Sequence, residues 1–159
     1  MAGIGFAIHD HGDCIADGLA RAERVCNNAG VRLTPIRHRV LELLLSAHRA
    51  MGAYEVLEQL TRDGYAAQPP VAYRALDFLV SQGLAHKIER LNAFIACAQA
   101  GHDHAPVFLI CRTCGAVAEA DWHPDAGQVG AAAQALDFTV EAVVAEALGV
   151  CPNCRGGGA

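Results

Sequence analysis

At 159 residues, 53% of them hydrophobic, the chain has room for one domain or two small ones and enough apolar surface to bury a core. No apolar run approaches the roughly 20 residues that span a bilayer. The stretch from Met1 lacks the basic region and sustained apolar core of a secretory peptide, so a cytoplasmic protein with no membrane partner is expected.

In that compartment thiols stay reduced, and paired cysteines favour metal over disulfide. A net charge of −5 argues at first against a nucleic-acid partner, but the charge is unevenly placed. Residues 20–96 carry ten Lys or Arg against seven Asp or Glu, whereas residues 97–159 carry two against seven. A mildly basic front and an acidic back suit a two-part protein in which only the front meets an anion.

Asp17 to Ala29 reads as a helix closed by Gly30. The next helix runs from Pro35 to about Leu45: Thr34 can cap it, and proline fits the first helical position. Ile36, Val40, Leu43 and Leu44 then share a face. A further helix covers about Ala53 to Arg62, with Val56, Leu57 and Leu60 inward, and Asp63-Gly64 stops it. Pro69-Pro70 introduces a helix over Val71 to Gln82, ended by Gly83, with Leu76, Leu79 and Val80 as its apolar stripe. Tyr73, Arg74, Asp77 and Ser81 fall on its other side. Two strand-like runs, Leu84–Glu89 and Ala93–Cys97, meet at a tight turn near Leu91-Asn92. Helices followed by a β-hairpin give the order of a winged helix-turn-helix domain.

Beyond Ala98 strands are expected at Val107–Cys111 and Ala116–Ala120, a helix at about Asp125–Leu136, and a last strand over Phe138–Leu148. The expected fold class is α+β, with residues 1–97 a winged-helix unit preceded by an N-terminal extension. Residues 98–106 form a hinge, and 107–159 a small α/β domain closed by cysteines.

Cys111-x-x-Cys114 and Cys151-x-x-Cys154 have the spacing of paired zinc knuckles, each tight turn presenting two corners of a tetrahedron. The 36 residues between the pairs mean that the site closes a whole domain. A redox pair would want a tryptophan or βαβ context, and a zinc deaminase an H-x-E with P-C-x-x-C; neither occurs here. A closed thiolate shell is structural, since catalytic zinc keeps an open position.

His86, Cys97, His102, His104 and Glu119 gather further ligand types around the hinge. Nitrogen, sulfur and one carboxylate suit zinc, while the thiolate disfavours manganese and magnesium. A site drawing ligands from both domains would lock their orientation when filled, as a sensor requires. Singly, each residue reads equally well as a surface histidine or a small buried hydrophobe.

Several motifs in order resemble the ferric uptake regulator family. Arg32-Leu-Thr-Pro-Ile-Arg is similar to its first-helix signature, and Pro70-Val-Ala-Tyr-Arg-Ala-Leu to its recognition helix. The two knuckles match its structural zinc site. Ala85-His86-Lys87, Phe94-Ile-Ala-Cys97 and a histidine seven residues before Cys111 look most like the family's zinc-uptake branch.

The resemblance implies an N-terminal winged helix and a C-terminal dimerisation domain. It also implies a homodimer that, loaded with Zn2+, binds double-stranded operator DNA and represses zinc-uptake genes. By position His86, Cys97 and His104 match sensory ligands, with Glu119 or His102 as the fourth. Tyr54, Tyr73 and Arg74 match DNA-facing positions. About two zinc ions per subunit follow, one structural and one regulatory, with no small-molecule substrate and no enzymatic activity.

Val71-Ala72 replaces the usual threonine-valine, and Gly101-His-Asp-His104 lacks the first histidine of the iron branch. The alternatives are a sibling sensing iron, nickel or peroxide, a metalloenzyme using the hinge site, and a structural zinc ribbon. His9, His11 and Cys14 would form either a third metal site or a mobile leader. His38, His48 and His123 read as ordinary surface or core histidines, with His123 near enough to the knuckles for an accessory site.

Overall fold

The computed structural model describes residues 6, 11–47, 49–121, 126–141 and 143–156. His9, His48 and His123 lie outside them. Four helices come first: α1 (His11–Asn28), α2 (Pro35–Ser46), α3 (Ala53–Arg62) and α4 (Pro69–Ser81). Thr34 caps α2 by accepting from the Arg37 N–H, with Pro35 at the first turn, as the sequence dictates. Val40, Leu44, Val56, Leu60, Leu76 and Leu79 are fully buried and form the centre of the helical core. Val80, expected inward, is 37% exposed, while Leu41 takes a buried place on α2. α1 begins at His11, ahead of the expected start at Asp17, so Cys14 lies on a helix. Gly18 lets α1 approach α2; a Cβ there would sit 2.7 Å from the Leu45 side chain.

The hairpin follows as β1 (Ala85–Ile88) and β2 (Ala93–Ala96), antiparallel, with Ala85 opposite Ala96 and His86 opposite Ile95. A one-turn 3-10 helix, Glu89–Leu91, makes the tip, and Asn92 closes it with φ 45°. Asn tolerates that left-handed conformation better than most residues. The Cys97 N–H continues the pairing by donating to the Leu84 carbonyl at 3.0 Å.

The rest is a three-stranded sheet in the order β4-β3-β5, from β3 (Pro106–Cys111), β4 (Val117–Asp121) and β5 (Ala145–Gly149). β3 pairs antiparallel with β4 and parallel with β5, the crossover carrying α5 (Ala126–Ala135). The last strand is shorter than expected. The sequence pattern predicts a strand over Phe138–Leu148, but among the described residues the pairing covers Ala145–Gly149. One turn, α6 (Pro152–Arg155), follows with Cys151 at its N-cap.

The two halves share a second core. Ala50, Ile88, Ala93 and Ile95 from the first half pack with Phe108, Ile110 and Val117 of the sheet. The hairpin therefore lies on the C-terminal sheet.

Candidate metal centres and nucleic-acid interface

Cys111 ends β3 and Cys114 completes a turn whose Gly115, at φ 75°, is in the left-handed region where a side chain would be strained. Cys151 is the N-cap of α6 and Cys154 lies within it. All four Sγ atoms lie within 4.8 Å of one another. The Cys151 N–H points at Cys111 Sγ at 3.3 Å, and Cys114 and Cys151 sulfurs are 3.7 Å apart. Backbone N–H groups at Cys151 and Cys114 hold the Cys111 thiol down at about 5, while the neighbouring Cys151 and Cys114 sulfurs push Cys154 up to about 12. One sulfur prepared as thiolate among crowded thiols fits a divalent soft-ligand cation.

His86 comes from β1, Cys97 from the end of β2, His104 from the connector and Glu119 from β4, and one ligand atom of each lies within the same 4.8 Å span. His104 Nε2 is 2.7 Å from Glu119 Oε1 and 3.4 Å from Cys97 Sγ. The other ring nitrogen, Nδ1, is 2.8 Å from the His102 carbonyl, which fixes the tautomer and turns Nε2 inward, as ligating histidines commonly require. Glu119 also accepts from the Ala98 N–H at 2.8 Å. His102 thus joins the site through its backbone, and its imidazole is not among the gathered ligand atoms.

Burial works against the Glu119 carboxylate, yet His86, the Ala98 N–H and His104 hold it below its usual range. Burial also opposes charge on His104, but the His102 carbonyl and Glu119 raise its pKa. Burial first, and then the Glu119 charge, push the Cys97 thiol up to about 12.

His86 Nε2 supplies the test of fit. It is buried without a hydrogen-bond partner, 3.4 Å from Glu119 Oε1 in poor alignment. An orphaned buried nitrogen is costly unless something electron-poor completes it. A cation among two nitrogens, one thiolate and one carboxylate would do so, and that donor set suits zinc.

α4 presents Tyr73, 41% exposed, and Arg74, also exposed, on the face opposite its buried Ala72, Ala75, Leu76 and Leu79. Tyr54, 70% exposed, projects from α3. All three are exposed and could meet a groove. Of the N-terminal residues, Cys14 is exposed on α1. Two tertiary contacts near the site carry no sequence signal. Arg21 donates to the Ala98 carbonyl at 2.9 Å, pinning α1 to the connector, and Glu146 reaches from β5 to the wing tip.

Fold and clusters define the class: a winged-helix protein with a small α/β domain, carrying a zinc-type cysteine cluster. The ferric uptake regulator family model matches residues 28–141. The chain belongs to this family.

The zinc uptake regulation protein of Escherichia coli K12 is 38% identical over 137 residues, covering 86% of this chain and 80% of that protein. A zinc uptake regulator complexed with zinc and DNA superposes with a TM-score of 0.84 at 36% identity, covering 89% of this chain and 95% of the other. A third relative, XcZur, is informative in two states, each 39% identical. Its holo form gives a TM-score of 0.79 over 88% of this chain and 98% of its own. Its apo form gives only 0.52 over 90% and 99%. At equal identity the difference is conformational, and this chain has the arrangement like the holo form.

Proposed function

We propose that this protein is a zinc-responsive transcriptional repressor, not an enzyme, that binds operator DNA as a zinc-loaded homodimer in the cytoplasm and controls zinc-uptake genes. The observation that carries this reading is the convergence of His86 and Cys97 from the hairpin with Glu119 from the C-terminal sheet, joined by His104 from the connector. An ion held by all four ties the wing to the other half, so the DNA-facing helix is set in one orientation only when zinc is present. Cys111, Cys114, Cys151 and Cys154 hold a second, structural zinc, giving about two ions per subunit. Four protein ligands on each leave no open position for substrate, which disfavours a metalloenzyme.

Residues 1–97 act as the DNA-binding unit, 98–106 as the hinge and 107–159 as the dimerisation unit. Leu136, Phe138, Val144 and Leu148 are 53–80% exposed in the last, and a partner subunit would cover such apolar side chains. In the DNA-bound state Arg74 reads a base edge in the major groove and Tyr54 and Tyr73 contact phosphate or thymine methyl. The thiolate of Cys97 and the similarity to zinc uptake regulators favour zinc over iron, nickel or peroxide sensing.

Operator binding followed by fluorescence anisotropy across a buffered free-zinc series, with wild type and Cys97→Ala side by side, tests this. Affinity should rise with zinc in the wild type alone. Equal binding by both at every zinc level would overturn the sensing role.

A further inference from the structure

The strands of the C-terminal sheet place three residues in one row. Phe108 on β3 is opposite Glu119 on β4 and opposite Glu146 on β5. Laterally paired residues share a face of a sheet, and this face carries the hairpin. His86 lies against Glu119 at 3.4 Å, and its ring is 5.1 Å from that of Phe108. Ile88, two residues on, packs with Phe108 in the shared core. At the far end Glu146 Oε1 accepts from the Glu89 N–H at 2.7 Å and Oε2 from the Arg90 N–H at 3.1 Å. The wing is therefore laid along the row from metal ligand, through apolar anchor, to carboxylate.

We propose that Glu146 is a positioning residue of the zinc switch: it fastens the wing tip to the C-terminal sheet and so raises zinc affinity at a cluster it does not touch. This rests on the zinc-responsive reading. Bonds from two successive N–H groups to a carboxylate are charge-assisted and stronger than neutral ones. Glu89 and Arg90 are exposed, so without Glu146 their N–H groups turn to water and the fold itself loses little. The Glu89 side chain is engaged elsewhere, 3.4 Å from Lys87 Nζ, and does not compete for the same amides.

What is lost is the tie between wing tip and β5. Zinc needs ligands from both halves, so its apparent affinity falls with the fraction of molecules in which the wing is seated. The coupling is reciprocal: zinc must also tighten the Glu146 contact.

The test uses the full chain without DNA, with Glu146→Ala and the milder Glu146→Gln, which keeps one acceptor oxygen and removes the charge. Zinc affinity at the exchangeable site is measured by competition with a chromophoric chelator, and amide hydrogen exchange is read at Glu89 and Arg90. Glu146→Ala should weaken zinc by roughly tenfold and expose both amides, with Glu146→Gln between it and wild type. The cobalt(II) absorption spectrum should stay unchanged in both variants, because the ligand set is intact.

Zinc affinity within twofold of wild type in Glu146→Ala, or amides as protected as in wild type, would overturn the proposal. An altered cobalt spectrum would do the same by making the effect one of ligation. These readouts involve no operator. Zinc-independent operator binding by the wild type would sink the repressor reading while leaving Glu146 to be judged on its own, and the converse holds equally.

Discussion

The pH dependence of zinc binding follows from how the sensory cluster stores protons. Burial and the Glu119 charge push the Cys97 thiol up to about 12, so the metal-free protein keeps that proton throughout the range from pH 6 to 8. Zinc takes the thiolate, and the proton must leave as the ion binds. One released proton makes affinity rise tenfold per pH unit, on the order of 100-fold from pH 6 to 8. At the acidic end the slope steepens. The pKa of His104 is raised by the His102 carbonyl and Glu119 against the opposing effect of burial, and Nε2 must be neutral to ligate.

The His104 part of the metal-free protein's stability runs the other way. The His104 contribution is complete below the ordinary histidine value near 6.5 and is lost as pH rises through the raised value. Glu119, held low, contributes above the ordinary carboxylate range and loses its effect only as pH falls through its depressed value. Calorimetry of zinc binding in buffers of differing ionisation enthalpy counts the protons directly. About one should be released at pH 8 and more at pH 6, and Cys97→Ser should remove one at either. Zinc affinity independent of pH, with no proton released, would refute the reasoning.

Cys154→Ser opens the four-sulfur shell and should lower zinc content by one ion per chain. Structural zinc sites are worth on the order of 10 kcal/mol of folding free energy, so the C-terminal sheet should lose its cooperative thermal transition. Arg74→Ala should weaken operator binding roughly 5- to 150-fold, about 1–3 kcal/mol, while zinc titrations stay at wild type. Phe108→Ala empties the middle of the shared core, where Phe108 is 1% exposed; urea denaturation should report a loss of about 3–5 kcal/mol. Phe138→Asp places a charge on the exposed apolar surface, and sedimentation should show it shifting dimer towards monomer.

Local signals made much of this fold legible. Thr34-Pro35 starts α2 where its capping chemistry says it should, and the C-x-x-C spacings bring four sulfurs together. His86, Cys97, His104 and Glu119 could be picked out as ligand types, yet ligand type and order along the chain could not choose between Glu119 and His102. That choice depends on β4 pairing with β3 in a register that carries Glu119 under His86.

The misses are tertiary too. Phe138–Val144 reads as strand by composition, but among the described residues the paired strand begins at Ala145, so pattern alone overextends β5. His11 and Gly12 give no periodic apolar signal, which hid the first turns of α1. Glu146 looks like any surface glutamate until the parallel pairing of β3 with β5 sets it beneath the wing tip.

The central claim is that exchangeable zinc holds the wing on the C-terminal sheet. Small-angle X-ray scattering of the wild-type dimer tests it most directly, with the four-cysteine zinc retained and the exchangeable zinc either present or removed by a chelator. Removal should increase the radius of gyration and the maximum dimension, and restoring zinc should reverse both. Superimposable profiles in the two states would mean that the halves stay closed without the ion, and the clamp mechanism would be wrong.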